Sequence, residues 1–380
     1  MLPRLLRRLV LARLGAFPAV AILGPRQAGK TTLAKTIGGD YFDLEQEGER
    51  LRLDLEWESV LRSRRPAILD EAQAAPEIFP RLRGAIDAAR SRRGRFLILG
   101  SVSPALMRNV SESLAGRLAA CELSGFLLPE LGRRAAADDS WLMGGFPGGG
   151  VLDKSRFPVW QREYLRLLAQ RDLPAWGLPA KPRATERLFS MLAHVHGQLW
   201  NASHIAAGLG LSYHTVNSYA EYLAGAYLIR LLPPFHSNVR KRLVKSPKLY
   251  WRDSGLLHAL LGAASRRDLV RRPWVGFSWE GWAIEQILSV LSSLGREHEA
   301  FFLRTQDGQE LDLLLEFPRD RWAVELKLSS HPAPHDMERL NRLADWAGAS
   351  RRFLVSRTVA PARGGKALSC SLGDFLKELV

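Results

Sequence analysis

The sequence predicts an α/β chain in three stages: a parallel sheet with helices on both faces, a helix-turn-helix unit with a β wing, and a small closing α/β domain. Three observations predict it. Short apolar runs at residues 18–23, 40–44, 66–70 and 95–100 alternate with helical stretches, the pattern of a parallel sheet whose crossovers cover both faces. Residues 184–235 change to three helical segments with a glycine turn between the second and third. Residues 310–327 read as two apolar strands around a Pro-Arg-Asp-Arg turn.

The bulk numbers bound the rest. A chain of 380 residues exceeds one ordinary core, so about two to four domains are expected. A hydrophobic content of 46% and a charged content of 24% describe a globular protein. The net charge of +15 points to acidic partners, nucleic acid first; charge does not resolve DNA from RNA, DNA being favoured by the helix-turn-helix below, and a protein partner and a homo-oligomer are left open. Only ten of the 54 basic residues are lysines, so an arginine-rich composition shares in that charge. Cys121 and Cys370 are the only cysteines, which excludes a disulfide framework or a cysteine zinc cluster and fits a reducing, cytoplasmic compartment. No run approaches eighteen uninterrupted apolar residues, so no membrane partner is expected. The basic start, MLPRLLRRLVLARLGAF, is expected to pack as an amphipathic helix on the first domain rather than to act as a targeting or membrane-surface segment.

The first strand ends in AILGPRQAGKTTLAKTI, which matches G-x-x-x-x-G-K-[ST] with Gly24, Gly29, Lys30 and Thr31 in the fixed positions. The glycines let backbone N–H groups curl around phosphate oxygens, Lys30 reaches the β/γ-phosphates, and Thr31 ligates magnesium, with Thr32 beside it. A buried strand before the loop and a helix after it are the context this P-loop demands. The strand of RRPAILDEAQ ends in Asp70, expected in the magnesium shell, and Glu71, expected to activate the attacking water. ATP and Mg2+ are therefore the expected cofactors. RFLILGSVS places Ser101 at a strand exit beside the phosphate site, where it senses the γ-phosphate or caps a helix. Arg117, in SLAGR, is an arginine-finger candidate, within its own subunit or across a boundary, or else a surface arginine.

GPRQAGKTTL, ILDEAQ, LGSVS and SLAGR, followed by GGFP, resemble the prokaryotic AAA-superfamily ATPases whose C-terminal half is a domain of unknown function. The resemblance continues through LGLSYHTVNSYAEYL, SPKLYWRDSGL, ELDLLLE and AVELK, and so covers nearly the whole chain. It departs at Leu99, where the family's wording has a threonine. The expected organisation is an AAA-type P-loop ATPase core at 1–130, a helical lid or linker at 131–183, a winged helix-turn-helix at 184–262 and a nuclease-like domain at 263–380.

In the helix-turn-helix unit, GLGLS is a tight turn and Ser212 caps the helix after it, which would enter a major groove with Tyr213, His214 and Asn217 exposed. IRLLPPF and PKLYWRD form the wing, and between them Arg240, Lys241, Arg242, Lys245 and Lys248 make one basic cluster suited to phosphates. The same fold can dock protein, and a charge run can be a solvated face. Near the end, Glu325 and Lys327 share a strand face because side chains alternate. With residues 318–321 as the loop, Phe317 pairs with Trp322 and Asp312 falls opposite Lys327. This resembles a PD-(D/E)xK nuclease core, in the restriction-endonuclease-like class, which implies that Asp312 and Glu325 bind magnesium and Lys327 positions the water. Glu280, on a preceding helix, supplies the further carboxylate such cores use. A same-face ion pair that binds nothing is the other reading of the pattern.

Overall fold

The computed structural model describes residues 2–101, 114–235, 245–305 and 308–380, with Ser101 described by its backbone alone. Five parallel strands form the first sheet: β1 (Ala19–Gly24), β2 (Asp40–Asp43), β3 (Ala67–Asp70), β4 (Phe96–Ser101) and β5 (Leu118–Glu122), in the order β2-β3-β4-β1-β5. Every residue of β1 is buried, as a central parallel strand requires. Its two faces serve two cores. Ala19, Ala21 and Leu23 pack toward α3 (Glu47–Arg62) and α4 (Ile78–Ala88), while Val20 and Ile22 pack toward α1 (Leu6–Ala16) and α2 (Lys30–Ile37). α1 buries Leu6, Val10 and Leu14, a spacing of four that aligns them in one stripe, so the basic start is a packed helix of this domain. The strand β5 was not anticipated, because Leu-Ala-Ala-Cys-Glu has no β-branched signal; the register Ala19↔Leu118 makes it an edge strand.

The middle of the chain holds α5 (Val159–Leu167), a π-helical turn over Leu168–Asp172, α6 (Pro182–His194), α7 (Ala202–Leu209) and α8 (Tyr213–Gly225). An antiparallel ribbon of β6 (Ile229–Leu232) and β7 (Lys248–Trp251) follows, and α9 (Ser254–Leu260) after it. The turn between α7 and α8 forms because Gly210 adopts φ 67° and the Ser212 hydroxyl accepts the Thr215 N–H at 3.1 Å. Leu165, Leu168, Ala169 and Leu173 share one apolar core with Leu188, Val216, Leu223, Leu249 and Leu256, so α5 and the π-helical turn pack with the helix-turn-helix, while Trp141 packs toward the C-terminal core. Arg240, Lys241 and Arg242 lie outside the described residues.

The last part is a six-stranded mixed sheet in the order β12-β13-β11-β10-β9-β8. Its strands are β8 (Glu299–Arg304), β9 (Glu310–Phe317), β10 (Asp320–Leu326), β11 (Arg351–Ser356), β12 (Ala362–Gly364) and β13 (Ala367–Ser371). α10 (Val275–Ser293) and α12 (Leu372–Leu379) pack on one face, α11 (Pro334–Ala347) on the other. The hairpin register differs from the expected one: Trp322 pairs with Leu315, so the loop shrinks to Pro318-Arg319 and Asp312 comes opposite Glu325 rather than Lys327. A two-residue turn closes this hairpin, and Arg321 then sits directly opposite Glu316 and pairs with it. The slip is by two residues, so the carboxylates keep their face.

Candidate functional site

The phosphate loop stands where β1 ends. Gly24 at φ 153° and Gly29 at φ 98° carry the turn; a Cβ on Gly24 would sit 2.1 Å from the Leu123 carbonyl oxygen. Lys30 opens α2, is almost fully buried, and donates to the carbonyls of Gly24 at 3.1 Å and Pro25 at 3.0 Å. Burial pushes its ammonium down to about 8, against the pull of Glu71 and Asp70. The Thr31 hydroxyl donates to Asp70 Oδ2 at 2.6 Å, and the Tyr41 hydroxyl to the same oxygen at 2.9 Å. A hydroxyl and a carboxylate oxygen in contact at the foot of the loop are the donor set a magnesium ion takes.

Glu71 follows Asp70 in the left-handed region at φ 49°, a strained setting for a residue with a side chain, and accepts from the Gln73 amide. It faces, with Lys30, Thr31 and Thr32, a cavity of ≈ 750 Å³ closed on other sides by Leu2, Arg7, Phe126 and Leu152. Gly24 is the register partner of Ser101, so β4 ends at the loop as expected; the Ser101 side chain lies outside the described residues.

Arg117 stands at the other end of the sheet. It precedes β5, its carbonyl accepts from Ala19 N–H at 3.3 Å, and its guanidinium grips both oxygens of Asp87 at 2.9 Å. The parallel strands β1 and β5 run from Arg117 to the phosphate loop, so Arg117 does not reach its own nucleotide site, and its role within one subunit is corrected. Asn217 is also corrected as a free reading residue, because its Oδ1 accepts the Trp200 indole N–H at 2.7 Å. Tyr213 and His214 are exposed at the start of α8.

Sequence reasoning missed the residues that tie the loop to the rest. Arg26, inside the loop, pairs with Asp172 at the end of the π-helical turn, and the Arg26 carbonyl accepts from the Tyr164 hydroxyl at 3.1 Å. Arg4 donates to the carbonyls of Ala28 at 3.0 Å and Ser124 at 2.7 Å and pairs with Glu130 at 3.0 Å. The partners lie 146 and 126 residues away for Asp172 and Glu130, so no local pattern could announce them.

In the C-terminal part the structure brings Glu280, Asp312 and Glu325 together and adds residues that were not expected. Lys248, read as a phosphate-gripping member of the basic cluster, is instead buried, with Nζ 2.9 Å from Glu280 Oε1 and paired also with Glu310. Burial opposes its charge, but Glu280, Asp312 and Glu310 outweigh that and hold it above the ordinary lysine range. The Tyr250 hydroxyl donates to Glu280, and Asp312 Oδ2 accepts the Leu326 N–H at 2.8 Å. Burial, then Glu325 and Glu280, hold the Asp312 carboxyl well above the usual range. Glu325 pairs with Lys327 at 2.9 Å and with Arg339 of α11, and burial raises its carboxyl too. Lys248 pairs with Glu280 and Glu310, Lys327 and Arg339 pair with Glu325, and burial favours the neutral form of Asp312, so the arrangement does not fit a resident magnesium ion.

Three family models match the chain in succession: an AAA domain over residues 16–132, a domain of unknown function (DUF8612) over 134–267, and a domain of unknown function (DUF4143) over 275–371. Two curated relatives, an uncharacterized protein of Mycobacterium tuberculosis and one of Mycobacterium bovis, are each 36% identical over 96% of this chain and 84% of their own length. Among solved structures, the Walker-type ATPase of Pyrococcus abyssi is similar at 15% identity over 67% of this chain and 94% of its own, with a TM-score of 0.47. No helix among the described residues is long and apolar enough to cross a membrane.

Proposed function

The chain belongs to the family of AAA-superfamily ATPases that includes its mycobacterial relatives, and from that premise we propose that it hydrolyses ATP in the cytoplasm to switch the posture of the helix-turn-helix unit, read as a winged helix that meets nucleic acid. The observation that carries this reading is the grip of the middle region on the phosphate loop. Asp172 holds the Arg26 side chain and Tyr164 holds its carbonyl, and both come from the segment that shares a core with α6, α7 and α8. A loop that changes its contacts on taking up phosphate would pull on that core directly, which is the differential contact a switch needs.

With nucleotide bound, Lys30 would turn from the loop carbonyls to phosphate oxygens, and Thr31 and Asp70 would hold the magnesium. Magnesium-ATP, when bound, supplies the phosphoryl group whose transfer to water drives the switch. Glu71 orients that water and takes its proton, and Ser101 reads the γ-phosphate. Glu280, Asp312, Glu325 and Lys327, in this reading, hold the C-terminal nuclease-like module together and cut nothing while Lys248 and Arg339 stand among them.

The test is duplex DNA binding by fluorescence anisotropy at several salt concentrations, with and without ATP. Glu71→Gln should keep nucleotide binding and slow hydrolysis by about 10²–10⁴-fold, trapping the ATP state. In that background ATP should change the DNA affinity, Asp172→Asn should abolish the change, and Tyr213→Ala with His214→Ala should weaken binding in both states. An affinity indifferent to ATP would sink the switch. A second reading, docking to protein, is favoured by one observation: α7 and α8 contain no lysine or arginine. Absence of DNA and RNA binding even at low salt would select it, since phosphate contacts strengthen as salt falls.

A further inference from the structure

The carboxylate cluster of the C-terminal part is built around a cation that belongs to the chain. Lys248 is the first residue of β7, and its strand is fixed on the other side by the bridge to Leu199 and by the Trp200 N–H donating to the Pro247 carbonyl at 2.7 Å. Its side chain is 2% exposed and ends among three carboxylates, Glu280 from α10 and Glu310 and Asp312 from β9. One oxygen from each of these three lies within 4.8 Å of the others, which is the spacing of ligands around a single ion. Two residues on, the Tyr250 hydroxyl donates to the same Glu280.

A lysine ammonium is a compact point charge with three donors, and three carboxylates face it. A divalent ion in an all-oxygen site sits about 2.0–2.6 Å from its ligands, too close to leave room for an ammonium among them. The two occupants exclude each other. The neighbouring carboxylate Glu325 is likewise held by Arg339 and Lys327, so Glu280, Glu310 and Glu325 each have a cation of the chain beside them, while Asp312 accepts the Leu326 N–H.

We propose that Lys248 is a built-in cation standing where a divalent metal would sit among Glu280, Glu310 and Asp312, and that it keeps this pocket metal-free as long as the β6–β7 ribbon is seated. The ribbon belongs to the helix-turn-helix unit and the carboxylates to the C-terminal sheet and α10, so the same contact latches one part of the molecule onto the other. A partner that lifts the ribbon would expose a divalent-cation site, and one that leaves it seated would not. The latch stands whether or not the helix-turn-helix unit binds nucleic acid.

The test is Mn2+ binding by titration calorimetry to the full chain without nucleotide, each protein compared with its own Asp312→Asn counterpart so that the phosphate loop cancels. Wild type should show no Mn2+ site that depends on Asp312. Lys248→Met should gain one such site, at least tenfold tighter than anything in wild type, and should melt at a higher temperature with Mn2+ than without. A wild-type protein that already binds Mn2+ in an Asp312-dependent way overturns the proposal, as does a folded Lys248→Met that binds none. Should Lys248→Met fold only when Mn2+ is present, the ion has replaced the ammonium and the proposal holds. If it fails to fold with and without Mn2+, the ammonium does something the ion cannot, and the proposal falls.

Discussion

His258 is buried without charge: Nδ1 donates to the Leu142 carbonyl at 2.7 Å, and Nε2 accepts from the Ser278 hydroxyl at 2.6 Å, which in turn accepts the Trp141 indole N–H at 3.0 Å. Burial pushes its pKa down to about 4. The unfolded chain, with a histidine near about 6.5, binds more protons than the folded one between those values, so stability is full above pH 6.5 and is lost as pH falls toward 4. From pH 7 to pH 5 this one residue should remove about 2 kcal/mol, visible as a shallower pH dependence of urea unfolding in His258→Gln. An unchanged slope would mean that the imidazole takes up its proton in the fold as readily as in the unfolded chain. Other residues show how far single positions were legible. Lys30, Thr31, Asp70 and Glu71 were readable because the loop's geometry demands those types at that spacing; in the structure Lys30, Thr31 and Glu71 line one cavity and Asp70 is bonded to Thr31. Arg117 as a finger within its own subunit, Asn217 as a free reading residue and Lys248 as a phosphate grip were misplaced because an arginine, an amide or a lysine takes its meaning from a partner, and Asp87, Trp200 and Glu280 are those partners.

Among elements, α8 combines a strong local signal with a tertiary one. Ser212 caps it, and Val216, Tyr219, Ala220 and Leu223 form its buried face. Ser212→Ala should cost about 1 kcal/mol, and Leu223→Ala, which empties a site in the shared core, about 2–5 kcal/mol, both read from urea unfolding. Equal costs would mean that α8 is held by its cap and not by packing. Strands with branched or aromatic residues, such as β3, β4, β9 and β10, announced themselves in the sequence. Others did not: β5 is alanine-rich, and β12 is a three-residue exposed edge, so each exists because a neighbour offers its hydrogen bonds. The β9–β10 register was decided the same way, by a short turn and the Arg321–Glu316 pair that it brings into line.

Across the whole molecule, the three matched regions meet at Arg252. It pairs with Glu122 at the end of β5 and with Glu285 of α10 at 2.7 Å, while Arg230 of β6 holds Glu285 at 2.8 Å. Nearby the Leu128 N–H donates to Gln286 at 2.7 Å, a second tie between the ATPase part and α10. Removing one partner of a buried ion pair strands the other, so Arg252→Met should cost about 3 kcal/mol, and Arg252→Met with Glu285→Gln should recover part of it. A loss below about 1 kcal/mol, in urea unfolding, would show that the junction is carried by packing alone. The sequence by itself determined the α/β class, the phosphate loop with its acidic partner strand, and the capped glycine turn between α7 and α8, because each rests on contacts within a few tens of residues and on residue types that physics restricts. The tertiary structure decided what each charge is for, since a buried ion pair draws its two members from distant segments and its energy depends on their distance and burial. Arg26 came to Asp172, Arg4 to Glu130, and Lys248 to the carboxylates that the sequence had set aside for a metal.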